Sequence, residues 1–128
     1  MLFRSEAEPF PVLVRPALVL RAVGNLLENA AKFAPADTPI EVREAGGVIT
    51  VRDHGPGIPA ADLPHVFDRF YRADAARSLP GSGLGLAIVA QVAAECGGRA
   101  EAANAEGGGA RMTLTIPPLE PEPNDPAT

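Results

Sequence analysis

The sequence predicts an α+β domain, a two-layer α/β sandwich in which helices cover one face of a mixed, mainly antiparallel sheet. Two stretches have the apolar spacing of amphipathic helices, and each would place its apolar side chains on a single side. Two pairs of β-like runs are joined by consecutive glycines, as antiparallel hairpins are. One-sided helices combined with hairpins are typical of a layered α/β arrangement.

The first helix is predicted to run to about Phe33, because Pro16 suits a first helical turn and apolar residues then recur at three- and four-residue steps. The apolar stripe consists of Leu18, Ala22, Val23, Leu26, Leu27, Ala30 and Phe33. Asn25, Asn29 and Lys32 follow the same spacing on another side, so two amides and an ammonium share one strip. Such a strip is able to hold a metal ion and a phosphate. Taken alone, it is more simply explained as solvated surface.

The first hairpin is predicted to join residues 40–43 to residues 48–53 around Gly46-Gly47. Asp53 ends the second strand and is followed by HGPGIP, a loop whose glycines and prolines define the backbone. An Asp held there can accept a hydrogen bond from an exocyclic amine, while the glycines let a flat ring approach. An Asp-initiated turn is the simpler explanation of this loop when it is taken alone.

The second half of the chain predicts a short helix at residues 60–66, a mobile segment at residues 72–82, a long helix and a hairpin. The mobile segment has few apolar side chains, as a lid has. The long helix follows GSGLGLA and ends at Gly97-Gly98, and its buried side consists of Leu86, Val89, Val92, Ala93 and Cys96. Free N–H groups at a glycine-rich helix start can hold phosphate oxygens, although a flexible turn also explains GSGLGLA. The last hairpin joins residues 100–103 to residues 110–116, with Met112, Leu114 and Ile116 facing inward.

Composition divides the chain into three parts. Residues 1–11 show no sustained hydrophobic period and are predicted to be irregular. Leu2-Phe3-Arg4-Ser5 is what a common sequencing adapter would encode. We therefore hypothesise that part of this stretch is not native. Residues 12–117, beginning with the strand candidate at residues 12–14, form the folded domain. Residues 118–128 are rich in Pro and Glu and are predicted to be disordered.

Charge and cysteine content exclude several classes of protein. A chain of 128 residues that is 46% hydrophobic suits one domain with a single core. The net charge of -5 and the pI of about 4.9 argue against a nucleic-acid partner. The sequence contains neither a membrane span nor a signal peptide, so this segment is not expected to contact a membrane directly. The single cysteine, Cys96, favours a reducing compartment, and we expect the cytoplasm.

Four motifs occur in the order NLLENAAKF, DHGPGIP, VFDRFYR and GSGLGLAI. Together they resemble the N, G1, F and G2 boxes of the histidine kinase catalytic and ATP-binding domain, within the wider gyrase, chaperone, kinase and mismatch-repair ATPase superfamily. The resemblance covers about residues 12–117. It implies the Bergerat fold in an N-terminally truncated form, without the family's first helix and strand, and with ATP held beneath a lid.

The resemblance also implies a role for each motif residue. Asn29 looks like the Mg²⁺ ligand of the N box, with Asn25 assisting at the metal, and Asp53 resembles the aspartate that bonds the adenine amine. The positions that resemble nucleotide-binding residues are Asn29, Lys32, Phe33, Asp53, Gly55, Gly57, Ile58, Phe70, Gly81, Ser82, Gly83, Leu84, Gly85 and Leu86. The positions to which the resemblance assigns catalysis are Asn25, Lys32, Arg69 and Arg72, the two arginines lying where the lid approaches the phosphates.

Two positions depart from patterns known in the superfamily. Asn25 stands where ATP-hydrolysing relatives have a Glu that serves as general base, and an amide cannot take a proton at neutral pH. Glu28 is not expected to replace that base, because it points about 100° away from Asn29 on a helix. His54 stands where the G1 box usually has Asn. Neither His54 nor His65, which is expected on the surface, has the H-E-x-x-T-P setting of the phosphoacceptor.

The function that the resemblance implies is that of an ATP-dependent protein histidine kinase, with ATP and Mg²⁺ as cofactors. The phosphoacceptor histidine would lie on a separate dimerisation domain, and a response regulator would be the downstream acceptor. The parent protein is expected to be a cytoplasmic homodimer or one anchored in the inner membrane. Two alternatives remain open, an anti-sigma-factor-type serine kinase and a non-catalytic nucleotide-binding regulatory module.

Overall fold

Two helices pack on one face of a five-stranded sheet. The structure, a computed structural model, describes residues 2–7, 16–68 and 85–117. The elements are β1 (Leu2–Ala7), α1 (Pro16–Phe33), β2 (Pro39–Ala45), β3 (Val48–Arg52), α2 (Gly85–Glu95), β4 (Arg99–Asn104) and β5 (Ala110–Thr115), with a 3₁₀ turn at Leu63–His65. The strand order is β1-β2-β3-β5-β4; β1 and β2 are parallel, and the other neighbours are antiparallel. The predicted two-layer sandwich with a mixed, mainly antiparallel sheet is confirmed.

The core lies between the two helices and the inner face of the sheet. Its buried residues are Ala22, Leu26 and Ala30 of α1, Val89, Val92 and Ala93 of α2, and Ile40, Val51, Met112, Leu114 and Ile116 from the sheet side. Burying one large aliphatic side chain of this kind contributes about 1.5 to 3 kcal/mol, so the apolar stripe of α1 fixes the helix on the sheet. The polar strip of the same helix therefore has a defined position.

Glycines end the elements where the sequence predicts it. Gly46 and Gly47 have φ values of 60° and 83°, as the two central residues of a tight hairpin turn require. The hairpin register buries Val51 and leaves Val48 exposed, so these two residues lie on opposite faces of β3. At the end of α2, Gly97 has a φ of 74° and the N–H of Gly98 donates to the carbonyl of Ala93 at 2.8 Å, a glycine-based helix stop.

The structure differs from the sequence-based expectation in two places. Residues 1–11 are predicted to be irregular, yet Leu2–Ala7 forms β1, in register with Pro39–Glu44 of β2. Strand pairing along the edge of β2 satisfies backbone groups that a search for side-chain periodicity does not consider. The short helix predicted at residues 60–66 is reduced to the 3₁₀ turn at Leu63–His65.

Other predictions fall outside the described residues. They concern the strand candidate at residues 12–14, the lid at residues 72–82 and the tail at residues 118–128. Neither α1 nor α2, the helices in the described part of the chain, has the length and apolar character needed to cross a membrane.

Candidate functional site

The polar strip predicted on α1 is present, and its residues differ in exposure. Asn25 and Asn29 are half-buried, whereas Lys32, in the last turn of α1, is exposed. The side-chain Nδ2 atom of Asn25 is buried and has no hydrogen-bond partner among the described residues. An unpaired buried donor costs about 1 to 3 kcal/mol, so a ligand with an acceptor oxygen at this strip would recover free energy.

Asp53 is a buried acidic residue, only 3% exposed, at the end of β3. Its Oδ1 atom accepts hydrogen bonds from the N–H of Gly55 at 2.8 Å and from the N–H of Ala110 at 3.2 Å. The N–H of Asp53 itself donates to the carbonyl of Ala110 at 3.0 Å. No hydrogen bond within the described ranges uses the second carboxylate oxygen, Oδ2. Two backbone donors thus fix the carboxylate and leave Oδ2 for a ligand's N–H group.

The loop after Asp53 lies directly against the end of α1. A Cβ atom at Gly55 would overlap the carbonyl oxygen of Phe33 and would lie 3.0 Å from Oδ1 of Asp53. Only a residue without a side chain permits this approach, and it brings the predicted N-box helix and the predicted G1 loop together. The end of α1 that follows the amide strip therefore lies against the loop that begins at Asp53.

Two residues that the sequence interpretation missed support this loop. Asn104, the last residue of β4, contacts the backbone of Ile58 through both its amide atoms: Oδ1 accepts from the N–H of Ile58 at 2.6 Å, and Nδ2 donates to its carbonyl at 2.8 Å. Gly109 has a φ of 84°, and a Cβ atom there would overlap the carbonyl oxygen of Asp53. The turn at Gly107-Gly108-Gly109 can be recognised in the sequence, but no local sequence pattern indicates its contact with the Asp53 loop.

His54 does not share the environment of Asp53. Its Nε2 atom lies 2.8 Å from Oε2 of Glu41, and Arg52 is 3.8 Å from the same oxygen. Glu41 and Arg52 pair across β2 and β3 and alternate with buried core residues, so they lie on the sheet face opposite the helices. The substitution of His for the usual Asn therefore places a hydrogen-bonding partner beside Glu41. His65 is exposed, as expected, and its Nδ1 atom lies 3.1 Å from Asp68.

The structure describes the positions of some of the predicted site residues. Of the predicted members, four lie on α1 and four lie at the end of β3 and in the loop after it, with Gly55 of that loop against Phe33 of α1: Asn25, Asn29, Lys32 and Phe33, and Asp53, Gly55, Gly57 and Ile58. Gly85 is the exposed first residue of α2, and Leu86 packs against the core. The other predicted members, which fall outside the described residues and stay predictions, are Arg69, Phe70, Arg72, Gly81, Ser82, Gly83 and Leu84.

Comparison with known proteins identifies relatives of the whole domain. The family model described as "Histidine kinase-, DNA gyrase B-, and HSP90-like ATPase" matches residues 15–120. The sensor histidine kinase component HK1 of Mycobacterium tuberculosis is 41% identical over 120 residues, which cover 92% of this chain and 71% of that protein. The solved structure of the mycobacterial sensor histidine kinase MprB superimposes with a TM-score of 0.79 at 36% identity, covering 92% of this chain and 85% of that one.

Some relatives are much longer than this chain. The signal transduction histidine-protein kinase/phosphatase MprB of Mycolicibacterium smegmatis is 54% identical over 83 residues, or 61% of this chain. The matched region spans only 17% of that relative's length.

Proposed function

The chain belongs to the histidine kinase-, DNA gyrase B- and HSP90-like ATPase family, and on that premise we propose that it is the ATP-binding catalytic domain of a sensor histidine kinase. In this proposal the γ-phosphoryl group of ATP passes to a histidine on a separate dimerisation domain, and then to a response regulator. The parent protein is a homodimer, with this domain in the cytoplasm. The observation that carries the proposal is the close approach of Gly55 to the end of α1, which joins the amide strip to the buried carboxylate of Asp53.

Asp53 supplies the adenine-binding group in this proposal. Its Oδ2 atom accepts a hydrogen bond from the exocyclic amine, while Oδ1 stays bonded to two backbone N–H groups. A carboxylate that is already fixed loses little freedom when it binds, which favours affinity. The absence of a side chain at Gly55 keeps the same wall of the site open to a flat ring.

The amide strip fits a magnesium-bound triphosphate. The side-chain oxygen of Asn29 is a hard donor of the kind that Mg²⁺ prefers, and the unpaired Nδ2 of Asn25 can donate to a phosphate oxygen. Lys32 adds a positive charge one helical turn beyond Asn29. When bound, the metal ion supplies neutralisation of the phosphate charge.

We expect the isolated chain to hydrolyse ATP very slowly. Asn25 cannot act as a general base, and Glu28 is exposed on another side of α1, so neither residue activates water. Release of inorganic phosphate from Mg-ATP, measured without any acceptor domain, is expected to stay near the uncatalysed background. Rapid release would contradict the assignment of this domain to phosphotransfer rather than hydrolysis.

The metal assignment predicts a selective effect of Asn29→Ala. Titration calorimetry with ATP is expected to show tighter binding by the wild-type chain when Mg²⁺ is present than when EDTA is present. In Asn29→Ala this difference should disappear, while the weaker metal-free binding remains. Loss of a residue that only orients a metal ligand costs on the order of 10- to 100-fold in metal affinity, so loss of the ligand itself should cost at least as much.

Glu28→Ala is the matched control, because Glu28 precedes Asn29 on the same helix and is exposed. It should retain the full Mg²⁺ effect. Equal weakening of ATP binding by Asn29→Ala with and without Mg²⁺ would remove Asn29 from the metal site. Failure of the wild-type chain to bind ATP under either condition would overturn the proposed function itself.

A further inference from the structure

The side chain of Asn104, at the end of β4, is hydrogen-bonded to the loop after Asp53, which is distant in sequence. Its amide makes two hydrogen bonds to one residue, accepting from the N–H of Ile58 at 2.6 Å and donating to the Ile58 carbonyl at 2.8 Å. These bonds satisfy both backbone groups of a residue that lies outside every strand and helix. An amide side chain is well suited to this contact, because it carries a donor and an acceptor side by side.

The same hairpin also fixes the start of the loop. The carbonyl of Ala110, in β5, accepts a hydrogen bond from the N–H of Asp53, and the N–H of Ala110 donates to the Asp53 carboxylate. Gly57, next to Ile58, has a φ of 82°, and a Cβ atom there would lie 2.8 Å from Oδ1 of Asn104. The β4–β5 hairpin therefore grips residues 53–58 at both ends, once through the backbone and once through a single side chain.

We propose that Asn104 is a positioning residue for nucleotide binding, which holds the 53–58 loop in the shape that receives adenine. This inference rests on the proposed function and extends it to a residue outside the four sequence motifs. Asn104 acts through Ile58 and Gly57, and it is exposed at the end of β4. Without the two bonds, the loop must be ordered when the nucleotide binds, and that ordering weakens affinity.

The test compares Asn104→Ala with Glu101→Ala, a control at an exposed position on the same strand. Asn104→Ala is expected to weaken binding of Mg-ATP and of Mg-ADP by the same factor, about 5- to 50-fold for two lost hydrogen bonds. The factor should be equal because the loop faces the base rather than the γ-phosphate. Glu101→Ala should bind both nucleotides as the wild-type chain does. Asn104→Asp keeps the acceptor for the Ile58 N–H but turns a second oxygen toward the Ile58 carbonyl, so it should also bind both nucleotides more weakly than the wild-type chain.

Hydrogen exchange separates this role from a general loss of folding. In the nucleotide-free wild-type chain the Ile58 amide should exchange slowly, and in Asn104→Ala it should exchange faster while the amides of the β3–β5 ladder stay protected. Unchanged nucleotide affinity in Asn104→Ala, or unchanged protection of Ile58, would overturn the inference. If Asn104→Ala fails to fold, Asn104→Asp gives the decision through the same two measurements. If the wild-type chain binds no nucleotide, the proposed function fails, whereas the exchange of Ile58 still tests the Asn104 contact.

Discussion

Gly109→Ala is expected to destabilise the domain by about 3 to 5 kcal/mol and to abolish measurable ATP binding. Gly109 has a φ of 84°, which costs an L-residue about 1 to 2 kcal/mol. The new Cβ atom would also overlap the carbonyl oxygen of Asp53 and lie 2.8 Å from its carbonyl carbon. Backbone atoms cannot rotate away as a side chain can, so the β5 strand and the Asp53 loop must separate. Urea unfolding and titration with Mg-ATP measure the two effects.

Gly108→Ala is the matched control for this prediction. Gly108 also has a positive φ, 107°, but a Cβ atom there meets nothing within 4 Å. Gly108→Ala should therefore lose only the roughly 1 to 2 kcal/mol of stability that a positive φ costs an L-residue, and it should still bind ATP. Similar stability losses in the two variants would show that the contact between the turn and Asp53 has little energetic weight.

Asp53→Asn is expected to weaken ATP binding by about 10- to 100-fold while leaving the fold in place. The Asn side chain has the same shape and keeps an oxygen for the N–H groups of Gly55 and Ala110. It replaces the free Oδ2 by an NH₂ group, which would face the amine of adenine as a second donor. Inosine triphosphate carries an acceptor oxygen at that position, so its affinity should fall less than that of ATP, or rise. Calorimetric titrations with the two nucleotides measure this exchange of preference.

Asp68→Asn provides the control for charge removal, since Asp68 is exposed and pairs with His65. It should leave both affinities unchanged. Asp53→Ala is a poorer test, because it would leave two backbone donors unpaired and combine a loss of stability with a loss of binding. An Asp53→Asn variant that binds ATP as tightly as the wild-type chain would exclude Asp53 from the base-binding group.

Much of the fold could be predicted because its signals are local. The apolar spacing of α1 predicts the side on which Ala22, Leu26 and Ala30 are buried, and the glycine pairs predict where β2 and α2 end. β1 could not be predicted in this way. Its six residues show no clear period, and the parallel pairing with β2 depends on which strand edge is available in the finished sheet.

The same contrast between local and long-range signals holds for the candidate site. The order of the motifs predicted that Asn29 and Asp53 belong together, and the contact between Gly55 and Phe33 supports that prediction. The contributions of Asn104 and Gly109 could not be predicted, because each acts on a loop that is distant in sequence. Their residue types indicate only a strand end and a turn. Hydrogen bonds between distant segments become visible only when the strand order is known.

The central place of β5 between β3 and β4 has a consequence for synthesis on the ribosome. A nascent chain that has emerged only through β4 still lacks β5, the strand that pairs with both β3 and β4. It also lacks Ala110, the hydrogen-bond partner of Asp53. Closing the sheet requires contacts between distant segments, which form late. The Asp53 carboxylate thus gains its Ala110 partner only after β5 has been synthesised, so a chain that ends before β5 has a less constrained carboxylate.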